Sequence, residues 1–234
     1  MSKVRIISYN IYASTCFDSL IKILEGWKPD CIVLQNIASN KLRNSFLDKY
    51  NPDNFCYSHE HLLVISRYKI KAARFHRLGN SASCICVDIC VNGRFFTLIN
   101  IVLGGHFKNR PFQVKKLLAD VVNTLPVAPP TMLAGDFGEV LGISCHYKFN
   151  KHFRRIYPSV FRSTYPASCP VFSRDRIYIS YGLSGSNIHI DYSKLARIAA
   201  KHLPVIADVE IVDNRVAVLE KKTGSGNIME AAPS

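Results

Sequence analysis

The chain has 234 residues, 48% hydrophobic and 20% charged, with a formal net charge of +13. That balance supports a sizeable globular core and excludes a wholly disordered chain; the lack of any apolar run of about 18 residues excludes a spanning helix. So positive a chain favours a polyanionic partner (nucleic acid, anionic lipid or a phosphorylated ligand), the plainer alternative being a surface charged for solubility.

Val4 to Tyr9 is a short apolar run ending at Asn10 and predicts the first strand. The opening MSKVRIISYNIY lacks the layout of a secretory leader. Asp18 to Trp27 carries Leu20, Ile21, Ile23, Leu24 and Trp27 at helical spacing, with Gly26 and Pro29 as stops. Cys31 to Gln35 predicts a second buried strand, ending at Asn36, and Leu62 to Ser66 a third. Ile85 to Val91 alternates like a fourth; Asn92-Gly93 then signals a hairpin, and Arg94 to Val102 returns. Pro111 to Leu125 has helical periodicity, with Arg110 and Gln113 at its start. Met132 to Gly138 reads as a buried strand closed by a glycine corner, which puts Asp136 at its carboxyl end. That carboxylate either bonds its own backbone in a turn or meets a cation, a donor or water at a site.

Leu141 to Pro170 reads as a basic, loop-rich stretch, and Arg176 to Ser180 and Val205 to Val212 as further strands. From Gly142 to Lys201 there are ten Lys or Arg against two acids, Asp175 and Asp191. The excess charge therefore sits in the same span as several polar strand ends. The pattern predicts one α+β domain, residues 1–213, built on two packed β-sheets. Residues 214–234 read as an extension, disordered from about 221. The eight cysteines lie mostly in apolar runs and read as reduced core thiols of a cytosolic protein; export by a signal-independent route stays open. Cys84, Cys86 and Cys90 would share a strand face, but no second Cys/His pair completes a zinc site.

Seven stretches then fall in one order: RIISYNIY, CIVLQN, LLVISRYKI, NIVLGGHFKNRPFQ, MLAGDFG, TYPASCPVFSRDRIYIS and AKHLPVIADVEI. In that order the chain resembles the endonuclease/exonuclease/phosphatase superfamily, DNase I-like and closest in style to its small bacterial members. The matching motifs of that family are an opening strand with Asn, Leu-Gln-Glu, an apolar-Ser-Arg-Tyr run and Asn-x-His-Leu with a trailing Arg and Gln. Gly-Asp-Phe-Asn follows, then Thr-Tyr-Pro with Leu-Asp-Arg-Ile, and finally Ser-Asp-His-x-Pro. The resemblance implies a four-layer α/β/β/α sandwich and hydrolysis of phosphodiesters or phosphomonoesters with Mg²⁺ or Mn²⁺. A hard cation neutralises phosphate charge and a base activates water.

Carried over residue by residue, the resemblance makes His202, Asp136 and Asp175 catalytic remnants. It makes Asn10, Arg110, Tyr165 and Lys201 phosphate contacts, and Asn10 with Asn36 a weak metal corner. Four positions depart. Asn36 stands for the metal Glu, Val102 for a phosphate-binding His, Gly138 for the Asn of Gly-Asp-Phe-Asn, and Lys201 for the Asp expected to orient His202. A neutral amide is a poor Mg²⁺ ligand, and a cation cannot accept an imidazole N–H. His106 and Glu139 are the nearest replacements in sequence. The expectation is a degenerate member that keeps the fold, has lost most hydrolysis and binds a polyanion through the basic span. Tyr147, Phe149, Phe153, Tyr157 and Phe161 would serve there as stacking groups or as core. An active metal-dependent phosphodiesterase or phosphatase with a rearranged site is the alternative. A protein-interaction module for an acidic partner is the other.

Overall fold

The structure is a computed structural model that describes residues 2–12, 14, 17–50, 54–123, 129–138 and 148–212. Two six-stranded mixed sheets pack face to face. The first runs β11 (Leu183–Ile190), β12 (Val205–Ile211), β1 (Ser2–Asn10), β2 (Cys31–Gln35), β4 (Leu62–Ser66), β3 (Phe55–His59). The second runs β5 (Ile70–Gly79), β6 (Ala82–Val91), β7 (Arg94–Val102), β8 (Thr131–Asp136), β10 (Asp175–Ile179), β9 (Arg154–Ile156). Each sheet contains one central parallel pair, β1 with β2 and β7 with β8.

Val4, Ile6, Val33 and Val64 of the first sheet meet Ile85, Val87, Leu98, Met132, Ala134 and Ile177 of the second in the inner core. Helix α1 (Phe17–Trp27) covers the first sheet's outer face through Leu20, Ile23 and Leu24, together with the short helix α4 (Lys194–Ala199) through Ala196 and Ala199. Helix α3 (Arg110–Leu117) covers the second sheet through Val114 and Leu117. This is the expected four-layer sandwich. Central strands buried on both faces read as unbroken apolar runs, which is why the sequence exposes them.

Two differences from the sequence reading concern a helix end and the weakly patterned elements, while two cysteines lie in the core as expected. The helix expected to reach Leu125 ends its α-helical part at Leu117 and widens into a π turn over Leu118–Val122. Helix α2 (Asn40–Tyr50) and the strands β3, β5 and β11 are largely half-buried or exposed, so their sequences lack a strong apolar period. Cys84 and Cys86 pack into the outer core of the second sheet as small apolar groups. The expected extension and Glu139 lie outside the described residues. Among the described residues, no helix is long and apolar enough to cross a membrane.

The topology brings strand ends together. The carboxyl ends of β1, β2, β7 and β8 meet the start of β10, where Asp175 pairs with Asp136. They also meet the turn just before β12, which carries His202. Just beneath this rim a buried bond ties the two sheets: Gln35 Nε2 donates to Asn100 Oδ1 at 2.9 Å, and Asn100 Nδ2 donates to the Leu34 carbonyl at 2.8 Å. Both side chains are fully buried, so the link fixes the register of one sheet on the other.

Candidate functional site at the strand ends

Asp136 sits at the end of β8, 2% exposed. Its Oδ1 accepts from the Gly138 backbone N–H at 2.7 Å, the self-bonded turn. Its Oδ2 accepts from Asn10 Nδ2 at 2.9 Å and from Arg174 Nη2 at 3.0 Å. So the turn bond and the site contacts coexist on one carboxylate. The Asn10 amide also lies 3.4 Å from His202 Nε2. Its carbonyl oxygen accepts from the Tyr12 N–H and from Asn36 Nδ2, each at 3.0 Å. Asn36 adopts φ 60°, a left-handed conformation that Asn tolerates better than Glu.

His202 Nδ1 lies 2.8 Å from Asp175 Oδ2, with both side chains buried. This corrects the expectation that Lys201 leaves His202 without an orienting carboxylate: Asp175, arriving on β10, supplies one. An Asp accepting from Nδ1–H leaves Nε2 facing Asn10. Asp175 is placed by its neighbour in space, because Thr164 Oγ1 accepts the backbone N–H of both Arg174 and Asp175, at 3.2 and 3.1 Å. The Tyr165 ring lies 4.7 Å from the His202 ring, and Arg174 stacks 4.7 Å from the Tyr165 centroid.

The other departures from the family pattern also have a place. Val102 is buried in the inner core beside Asp136. A Cβ at Gly138 (φ +65°) would stand 2.7 Å from the Leu103 carbonyl oxygen and 3.0 Å from Arg110 Nε. Arg110 thus occupies space that a side chain at 138 would need. Lys201 is exposed, with Nζ 5.2 Å from the Tyr12 ring centroid. His106 is exposed and accepts from the Lys108 N–H in a local cap, so it does not replace Val102. Phe149 and Phe153 belong to the outer core, not to a stacking surface, whereas Tyr157 and Phe161 are exposed.

Burial, then the nearby Asp175, push the Asp136 carboxyl up; Arg174, His202 and the Gly138 N–H pull it down less strongly. For His202, burial disfavours the imidazolium, but the Asp175 carboxylate, its hydrogen bond and Asp136 outweigh it, so its pKa is raised. One ligand atom each from Asp136, Asp175 and His202 lie within 4.8 Å of one another, a possible cation site. Asp136 nonetheless has both oxygens engaged by N–H donors, one of them cationic. The Asn10 carbonyl oxygen is likewise covered by two N–H groups. Asp175 Oδ1 alone of these carboxylate oxygens has no partner among the described residues, and one free oxygen does not suit Mg²⁺, which demands several in near-octahedral order.

All eight residues singled out from the sequence lie at this rim or border it. Arg174 was missed. Its signal was the Arg standing where the family's Leu-Asp-Arg-Ile motif has Leu.

No family model and no curated protein matches the chain. Solved structures match in fold. Humanized D. rerio TDP2 shows a TM-score of 0.75 at 14% identity, covering 90% of this chain and 100% of that one. D. rerio TDP2 complexed with single strand DNA product gives 0.73 at 14% identity, over 90% and 100%. The endonuclease/exonuclease/phosphatase from Bacteroides vulgatus gives 0.77 at 11% identity, again over 90% and 100%. Identities this low speak to the fold alone: the chain has the fold of the endonuclease/exonuclease/phosphatase proteins.

Proposed function

We propose that this chain, built on the endonuclease/exonuclease/phosphatase fold, binds a phosphate-bearing polyanion, single-stranded nucleic acid foremost, at the strand-end cluster and without a divalent metal. Hydrolysis is lost or reduced to a trace. The observation that carries this reading is the closed metal corner, where Asn36 Nδ2 donates to Asn10 Oδ1 at 3.0 Å. The amide that replaces the metal carboxylate turns its N–H, not its oxygen, to the site. Around that corner stand Lys201, Arg174 and Arg110, which suit phosphate oxygens. Tyr165 flanks them and His202 faces inward with a raised pKa. The net charge of +13 and the single-strand DNA in the D. rerio TDP2 complex support the same ligand class.

Calorimetric titration with Mg²⁺ and Mn²⁺, beside anisotropy of a 5′-phosphorylated oligothymidylate across a salt series, tests it. Salt-sensitive binding with no metal heat supports the reading. No binding of DNA, RNA or phosphoinositide at low salt defeats it. The second reading, an active metal-dependent phosphodiesterase, draws on the compact Asp136, Asp175 and His202 group. It requires turnover that both a chelator and Asp136→Ala abolish.

A further inference from the structure

We propose that Arg174 takes the place of a divalent cation in this site: it supplies the positive charge that the Asp136/Asp175 pair demands and offers its guanidinium to a phosphoryl oxygen. The proposal rests on the phosphate-binding function above. Two buried carboxylates beside an imidazole form a group that attracts a cation, because buried charge without a counter-charge is very costly. Arg174 meets that demand from within the chain, with Nη2 3.0 Å from Asp136 Oδ2.

Its placement fits a ligand-facing role. Asp136 is 3% exposed in its side chain and Arg174 25%, so the guanidinium pairs inward and remains reachable from solvent. Stacking on Tyr165 holds it from a second side. A planar fork with several fixed donors keeps one for the carboxylate and has others for phosphate, which a point charge does less well. The side chain is not needed to shape the local backbone, since Thr164 Oγ1 already fixes the Arg174 and Asp175 N–H groups. Among the described residues Arg174 Nε–H meets no hydrogen-bond partner, although buried donors in a purely structural role are nearly always paired. A metal ion approaching Asp136 Oδ2 would have to displace this guanidinium. The family motif's Leu at this position would leave the carboxylates without that charge.

The test compares wild type with Arg174→Met and Arg174→Gln, each checked for folding by its unfolding transition. Mn²⁺ binding is read by calorimetry and by the Mn²⁺ resonance signal. Oligothymidylate binding is read by anisotropy with chelator present. Either variant should bind Mn²⁺ at least about tenfold more tightly than wild type and the oligonucleotide about tenfold more weakly. Adding Asp136→Asn to the Met variant should remove the gained Mn²⁺ binding. Wild-type Mn²⁺ affinity equal to that of the variants overturns the counter-ion role. Unchanged oligonucleotide affinity in a folded variant overturns the phosphoryl contact. If the Met variant fails to fold, the Gln variant decides both arms. If wild type binds no oligonucleotide, the phosphate-binding function falls, while the Mn²⁺ arm still decides the place of Arg174.

Discussion

Replacing Lys201 by Met removes one exposed cation and keeps a long unbranched side chain, so it should lower the salt dependence of oligonucleotide binding by one contact. Lys201 is exposed beside Tyr12, the Arg174 side chain is 25% exposed, and Arg110 is half-buried at Gly138. If these three cations each neutralise one phosphate of a single strand, log K against log salt has a slope of about −2.1, at about −0.7 per contact. Raising salt from about 50 to about 200 mM then weakens wild-type binding about 18-fold. Without Lys201 the slope becomes about −1.4 and the same change costs about sevenfold. Anisotropy of a labelled oligothymidylate at four or more salt concentrations reads both slopes directly. Identical slopes would refute a phosphate contact by Lys201, and a flat wild-type line would refute polyanion binding at this rim altogether.

Other perturbations test the frame and the site. Gly135→Ala should destabilise by about 3–5 kcal/mol in urea unfolding, because φ is +148° and a Cβ would overlap the Ile101 carbonyl on the paired strand; unchanged stability would refute that close approach. Asp208→Asn should cost about 1–3 kcal/mol near neutral pH, since the buried carboxylate bonds Arg5 at 2.8 Å, Lys3 at 3.1 Å and Asn187 at 2.9 Å. Burial alone would raise the Asp208 pKa, but those three partners hold it well below its ordinary 3.8. A depressed acid stabilises above its unfolded pKa, so this cost should fade as pH drops through the acidic range, and a pH-independent difference would contradict the assignment. For His202 the sign is opposite. Its pKa is raised above 6.5, so stability from the charged imidazole is complete below 6.5 and is lost as pH climbs through the folded value. Oligonucleotide affinity should therefore fall as pH rises from about 6 to about 9, and His202→Asn should flatten that profile.

Much of the architecture was legible in the chain. Buried central strands such as Cys31–Gln35 and Thr131–Asp136 have no solvated face, so their sequences are continuous apolar runs that stop at a polar residue. Those stops, Asn10, Asn36 and Asp136, meet in the candidate site. The edge strand β5 sets half-buried or exposed residues, among them Lys71, Arg74 and Arg77, around the buried Leu78, and its pairing partner, not its own pattern, makes it a strand. Tyr157 and Phe161 could not be told from Phe149 and Phe153 by sequence, because an aromatic ring serves a core and a surface equally well.

The sequence by itself determined the two-sheet fold, the set of residues at the strand ends and the basic excess that borders them. Those properties are local: each depends on burial period, turn residues and charge along the chain. Tertiary structure decided the partnerships. Asp175 and His202 are 27 residues apart, Asn10 and Asp136 are 126 apart, and only the packing of one sheet on the other, with β10 in register on β8 and β12 on β1, brings them within hydrogen-bond reach. The register of β10 on β8 also lays Arg174 on Asp136, so one acid of the candidate cation site already carries a counter-charge from within the chain. A hydrogen bond depends on ångströms and angles, and sequence separation carries neither.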